Sequence, residues 1–286
     1  MGLGTSDLQL LISLRQQGYL SKVGKIIEVG AQQLNNSFLT AALELQMLGK
    51  LYDRTESYTP PAPLPTVMLD GGYEHQPDNA PYARPFWEWL GYRYTAIDID
   101  ESPDVISLDL NYDEVPPKAK KQYDLVTNYG TTEHVANQLQ AFKIIHDLTA
   151  VSGVMIHSMP AQGNFNHGLI NYNPKFIWLL ARSNHYRVLF ANFTPNPQHY
   201  ALPENIQEYI SGFDAGHAEK IKDYKSCDVQ MLLAVQKVRD MEFIPPLDVP
   251  TGSTTSSAVL RKRYWTVFNP SSPLHVPNIF NNIFKQ

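Results

Sequence analysis

Several protein classes are excluded by what this chain has too little of. Cys227 is the single cysteine among 286 residues. No disulfide can close within the chain, and a reducing, cytoplasmic setting is expected. No apolar run approaches the roughly 18 residues that cross a bilayer, so no membrane span is expected. The start carries neither the basic residues nor the apolar stretch of a secretory signal. Charged residues make up 18%, below the usual quarter, and they sum to −5. There is no basic surplus to neutralise phosphates, which argues against nucleic acid as a partner. No internal repeat is present. The full Gly-x-Gly-x-x-Gly fingerprint is also missing: the one candidate turn reads Gly30-Ala31-Gln32-Gln33-Leu34-Asn35. A dinucleotide pyrophosphate needs the close backbone approach that those glycines allow.

What is present is a chain built to fold. Hydrophobic residues make up 43%, and the length suffices for one large α/β domain with an appendage. Residues 6–17 (SDLQLLISLRQQ) carry leucines at helical spacing behind Ser6, a candidate cap, and stop at Gly18. Residues 25–30 (KIIEVG) read as a buried strand ending in a tight turn. The helix expected over 36–49 has Asn36 as its cap and Gly49 as its stop. Residues 52–81 hold six prolines, and the whole stretch 52–93 reads as an insertion usable as a substrate lid. A short aromatic helix is expected near 82–90. Further strands are expected at 93–99, 105–108, 122–127 and 153–158, with helices from about Glu133 to Thr149 and over 174–184, the latter starting on Pro174. The runs 186–193 and 228–238 read as paired closing strands, separated by a polar segment, 195–225. The whole predicts an α/β, doubly wound, mostly parallel seven-stranded sheet with a terminal antiparallel hairpin. Residues 1–243 form its expected domain. Residues 244–286, rich in Pro, Ser and Thr, form a C-terminal extension open to use in self-association as a homo-oligomer. Met1-Gly2 with Ser6 fits a myristoylation pattern, and two glycosylation sequons start at Asn35 and Asn192; each is short enough to occur by chance.

Ligands of such sheets bind outside the carboxyl ends of the strands, so the residues just after each strand carry the information. Gly30 lets backbone approach a ligand, and is equally a plain turn glycine. Asp98 offers two acceptor oxygens that match the vicinal diol of a ribose, with Asp100 as a fallback. Asp109 can receive an adenine amino group, with Leu110 beside it; each of these carboxylates also reads as a solvated or turn residue. Asn128 and Tyr129 follow the fourth strand. Glu133 there is favoured as a helix N-terminal acid. His134 can take a proton from a hydroxyl or amine. The polar loop 163–173 adds His167, and the fifth strand adds His157, as further bases. Glu133 and His134 have no third ligand at recognisable spacing, so no metal is expected.

Together these positions resemble the class I S-adenosylmethionine-dependent methyltransferases over about residues 20–160. KIIEVG resembles their first motif, YTAIDID the second, ISLDLN the third and QYDLVTNYGTTEHV the fourth. The first motif has one glycine where the family often has two or three, so Ala31 and Gln32 supply backbone contacts. The resemblance implies S-adenosylmethionine as cofactor. It places Glu28, Gly30, Ala31 and Gln32 near the methionine part, Asp98 and Ile99 at the ribose, Asp109 and Leu110 at adenine, and Asn128 and Tyr129 near the sulfonium. His134 or His167 then acts as base, on a small-molecule or glycan acceptor. A non-catalytic module of the same fold and a nicotinamide oxidoreductase are the alternatives; the second lacks its glycine fingerprint.

Overall fold

The computed structural model describes residues 2–62, 69–70, 73–74, 80–99, 105–164, 167–194, 229–248 and 258–264. Asp100, the polar segment 195–225 and most of the extension beyond 248 lie outside them. The chain divides into two compact units, Met1–Leu108 and Asp109–Gln286.

The first unit opens with α1, Thr5–Gln16, which buries Leu8, Leu11, Ile12 and Leu14 at spacings of three and four. Ser6 does not cap it. The helix starts one residue earlier, and the leading N–H, from Gly4, is taken by the Asp7 carboxylate at 2.7 Å. An acid three residues into a helix reaches back to that amide, whereas Ser6 points into solvent. Gly2 lies against the Gln33 carbonyl with no room for a Cβ.

Strand β1, Gly24–Val29, follows. The single helix expected over 36–49 is instead two, α2 at Asn36–Leu39 and α3 at Ala42–Leu51. The cap is Asn35, which accepts the Phe38 N–H at 3.1 Å. Gly49 does not end α3; a Cβ there would meet the Trp89 ring at 3.4 Å, so the glycine makes room for an indole.

The insertion holds a short antiparallel pair, β2 (Leu69–Asp70) and β3 (Tyr73–Glu74), and then α4, Arg84–Leu90. Phe86, Trp87 and Leu90 of α4 are fully buried. Phe38 meets Phe86 edge to face at 4.9 Å, Tyr58 packs on Trp89 at 5.4 Å, and the Trp89 indole donates to the Glu56 carbonyl at 3.0 Å. Trp87 is therefore part of the core, and Trp89 is a half-buried clamp on the segment before it. Strand β4, Tyr92–Asp98, runs parallel to β1, and β5, Val105–Ser107, runs parallel to β4. Ile26, Ile27, Glu28 and Val29 are all buried: a parallel strand is covered on both faces, so its residues do not alternate between core and solvent.

In the second unit β6 is Tyr123–Tyr129, α5 is Gln138–Leu148 and β7 is Thr149–Gln162. The helix does not start at Glu133. A 3-10 turn occupies Thr132–His134, Val135 is extended, and Asn137 caps α5 by accepting the Gln140 N–H at 3.2 Å. Helix α6, Pro174–Ser183, is capped by Asn173. It leads to β8, Tyr186–Thr194, and β9, Val229–Lys237. Strands β6 and β7 are parallel, while β9 is antiparallel to both β7 and β8. Lys237, buried at the end of β9, donates to the His146 carbonyl at 2.7 Å and the Thr149 carbonyl at 3.0 Å, closing the end of α5. Residues 241–248 return over α6, where Asn184 and Ile244 exchange two hydrogen bonds. Helix α7, Ala258–Arg263, is exposed. The seven longer strands follow the order β5-β4-β1-β6-β7-β9-β8, the mostly parallel, doubly wound sheet with an antiparallel close that the sequence predicts.

Candidate functional site

In the first unit the site positions gather at the carboxyl ends of β1 and β4. Gly30 takes φ 78°, a left-handed conformation that suits glycine, and its N–H donates to the Ile97 carbonyl at 2.8 Å. The chain thereby turns across the end of β4. Asp98 receives the Ala31 N–H at 3.1 Å on one oxygen and the Ile99 N–H at 2.8 Å on the other. A carboxylate has about four lone-pair positions, so each oxygen keeps acceptor capacity. Beside it the Ile99 side chain is 75% exposed, an aliphatic surface at the tip of the strand.

Glu28 holds this turn from beneath. It is fully buried. One oxygen accepts the Trp87 indole N–H at 2.6 Å; the other accepts the Gln32 N–H at 3.0 Å and the Tyr94 hydroxyl at 2.7 Å. Burial pushes its carboxyl up to about 7, against the pull of those three donors. The Gln32 amide in turn donates to the Val29 and Gly30 carbonyls at 3.2 and 2.9 Å. The side chains of Glu28 and Gln32 thus serve the shape of the turn.

In the second unit Asp109 closes its own turn: it accepts the Asn111 N–H at 2.7 Å, and its N–H donates to Asp113 at 2.7 Å. Leu110 beside it is buried. Asn128 and Tyr129 form the buried end of β6. Asn128 donates to the Thr132 hydroxyl at 2.9 Å and lies 3.3 Å from His157 Nδ1, while its carbonyl oxygen accepts the Thr132 N–H at 3.2 Å. Tyr172 adds a contact to the Thr132 hydroxyl at 2.9 Å. This network fixes the turn that carries Glu133 and His134. His157, expected as a base, is buried; burial lowers it to about 4, so it is neutral at physiological pH and faces Asn128.

Glu133 differs from the other buried acids. It is fully buried, yet neither carboxylate oxygen has a hydrogen bond among the described residues. Burial pushes its carboxyl up to about 7. Its main-chain carbonyl accepts the Leu169 and Ile170 N–H groups at 2.7 and 3.2 Å. Gly168, at φ 72°, fits against it; a Cβ there would come within 2.9 Å of Glu133 Cγ. This clamp brings in His167, whose Nε2 is 3.8 Å from Glu133 Oε1. The His134 and His167 rings lie 5.1 Å apart, nearly perpendicular at 79°. Glu133, His134 and His167 each offer one ligand atom within 4.8 Å of the others. The third partner that the local spacing of Glu133 and His134 does not provide thus arrives from the polar loop, through tertiary structure.

A methyltransferase-domain family model matches residues 43–202, more than half of the chain. No curated protein matches. Similar solved structures include 1,6-didemethyltoxoflavin-N1-methyltransferase of Burkholderia thailandensis, crystallised with S-adenosylhomocysteine (11% identity, 81% of this chain and 79% of that one, TM-score 0.42). A SAM-dependent methyltransferase of Archaeoglobus fulgidus is 12% identical over 80% of this chain and 94% of that one, with TM-score 0.39. Phosphoethanolamine N-methyltransferase 2 of Haemonchus contortus, solved with S-adenosyl-L-methionine, is 12% identical over 81% of this chain and 52% of that one, with TM-score 0.41. The methyltransferase-domain match and the sheet order identify a class I, S-adenosylmethionine-dependent methyltransferase. The chain belongs to the methyltransferase-domain family.

Proposed function

We propose that the chain transfers the methyl group of S-adenosylmethionine to a hydroxyl or amine of a small molecule or sugar. The observation that carries this reading is the turn at β1 and β4, where the left-handed Gly30, the Asp98 carboxylate and the exposed Ile99 share one edge. These residues fit the cofactor. Asp98 keeps acceptor capacity for a ribose diol, Ile99 offers an aliphatic face to an aromatic base, and Gly30, Ala31 and Gln32 give backbone to the methionine part. Glu28 acts as a positioning residue, through the Gln32 N–H. Asp109 and Leu110 are assigned to the adenine edge, and Asn128 and Tyr129 to the sulfonium end. When bound, the cofactor supplies an electrophilic methyl group.

The chain's own part is orientation and proton handling. Holding acceptor and methyl donor in line in a water-poor site is worth on the order of 7–11 kcal/mol of barrier. His134 and His167 are the groups proposed to receive the acceptor's proton, with Glu133 placed to stabilise a protonated His167. Residues 1–243 are assigned to this activity and 244–286 to an extension. No helix among the described residues is long and apolar enough to cross a membrane. A cytoplasmic setting is proposed from the single cysteine.

Calorimetric titration with S-adenosylhomocysteine, wild type beside Asp98→Ala, tests the reading. Micromolar binding by wild type, weakened at least tenfold by the loss of two charge-assisted hydrogen bonds in the variant, is expected. A wild-type chain that does not bind would remove the proposal.

A further inference from the structure

Buried carboxylates are hydrogen-bonded, paired or bound to a cation, because an isolated charge in a low-dielectric interior is costly. Two buried acids of this chain obey that rule within the protein: Glu28 has three donors and Asp7 has the Gly4 N–H. Glu133 is just as inaccessible, and its oxygens have no hydrogen bond among the described residues. The imidazole facing it, His167, lies 3.8 Å away, beyond the roughly 2.7–3.2 Å of an N–H···O bond. That separation is close to the spacing of two atoms that share one metal ion. Bonds of about 2.0–2.2 Å at near-tetrahedral angles put ligand atoms roughly 3.3–3.6 Å apart.

We propose that Glu133, His134 and His167 form a site for one divalent transition-metal ion of the zinc class. Two imidazoles and a carboxylate suit such ions, whereas Mg²⁺ and Ca²⁺ take sets of oxygen ligands. Three protein ligands leave a coordination position open, as in catalytic and not structural zinc sites. The ligands are held before any ion arrives. Leu169 and Ile170 bond the loop carrying His167 to the Glu133 carbonyl, and Asn128 and Tyr172 fix Thr132, next in the chain to Glu133. Such outer contacts set ligand orientation. The ligand atoms all lie within 4.8 Å of one another.

The use of the site rests on the methyl-transfer reading. The open position takes the acceptor's oxygen and lowers the pKa of its hydroxyl. With both imidazoles committed to the ion, the proton of that hydroxyl is released to solvent water, and hydroxyl compounds become the substrate class in preference to amines.

The test uses full-length protein stripped with a chelator, titrated with Co²⁺ by visible absorption and with Zn²⁺ by calorimetry. One ion per chain is expected, with His134→Ala, His167→Ala and Glu133→Gln each weakening it at least tenfold, and Mg²⁺ failing to compete. His134 is exposed, so His134→Ala removes a ligand without opening the core. S-adenosylhomocysteine affinity and circular dichroism, measured on every variant, confirm the fold. Absence of saturable binding at micromolar ion, or wild-type affinity in folded His134→Ala and His167→Ala, overturns the proposal. Cofactor binding without metal binding sinks this inference alone; metal binding without cofactor binding sinks the methyl-transfer reading and leaves the site.

Discussion

Replacing Tyr94 by phenylalanine removes one oxygen from the molecule and tests how the turn at Gly30 is held. That hydroxyl donates to the buried Glu28 carboxylate at 2.7 Å. A hydrogen bond to a charged group contributes about 1.5–3 kcal/mol net, and one to a neutral partner about 0.5–1.5. Which value applies depends on whether Glu28 is ionised. Burial raises its carboxyl from 4.5 to about 7, so it is mostly neutral at pH 5.5 and mostly ionised at pH 8.5. Because the folded value lies above the unfolded one, Glu28's contribution to stability is fully present below pH 4.5 and is lost as pH rises through about 7. Removing the Tyr94 donor raises the folded value further and extends that loss. Tyr94→Phe should therefore destabilise by roughly 0.5–1.5 kcal/mol at pH 5.5 and by about 1 kcal/mol more at pH 8.5, a difference within one pKa unit's worth of about 1.4 kcal/mol. Urea unfolding at the two pH values, read as the shift in midpoint at constant slope, measures it. An equal loss at both, or a larger one at pH 5.5, would show that the carboxylate does not depend on this hydroxyl when charged.

Two other substitutions probe the second unit. Lys237→Ala leaves the carbonyls of His146 and Thr149 without their buried donor and should cost roughly 2–5 kcal/mol in the same unfolding assay. Burial lowers the Lys237 ammonium from 10.5 to about 8. Its folded value lies below the unfolded one, so wild-type stability gains from this group as pH rises above 8, and the gain between pH 8 and 9.5 should vanish in the variant. Gly168→Ala forces a side chain into a residue at φ 72°, 2.9 Å from Glu133 Cγ. It should lose about 1–3 kcal/mol and weaken Co²⁺ binding by displacing His167; unchanged stability would mean that the loop is not clamped as described.

The strands were legible because each buried apolar run ends in a residue with its own signal. KIIEV stops at Gly30 and YTAID at Asp98, and both ends fall within a residue of the structure. Helix ends were less legible, since a cap is decided by which of several adjacent polar side chains reaches an amide. Asn35 wins over Asn36, and Asp7 replaces Ser6. The sequence from Glu133 onward reads as one continuous helix because nothing local reveals that Asn137 takes the capping role. Trp87 illustrates a different limit. The aromatic helix near 82–90 is legible, but which indole turns inward is not: Trp87 donates to the buried Glu28 carboxylate, a partner distant in the chain. The cluster at Glu133 was half legible. Glu133, His134 and His167 all stood out as single residues, but a contact made by a loop returning to the 3-10 turn leaves no periodic trace.

The strand order carries a consequence for how the protein is made. Strand β9 lies between β7 and β8, yet it is the last of the three to leave the ribosome. Until Val229–Lys237 emerges, the facing edges of β7 and β8 have open backbone groups, which are templates for wrong pairings. The second unit therefore cannot close gradually from its amino end. The sheet of this unit is complete only once that strand pairs with both neighbours, and only then can Lys237 reach the end of α5. Premature termination before residue 229 would leave both those edges unpaired, an open and association-prone sheet.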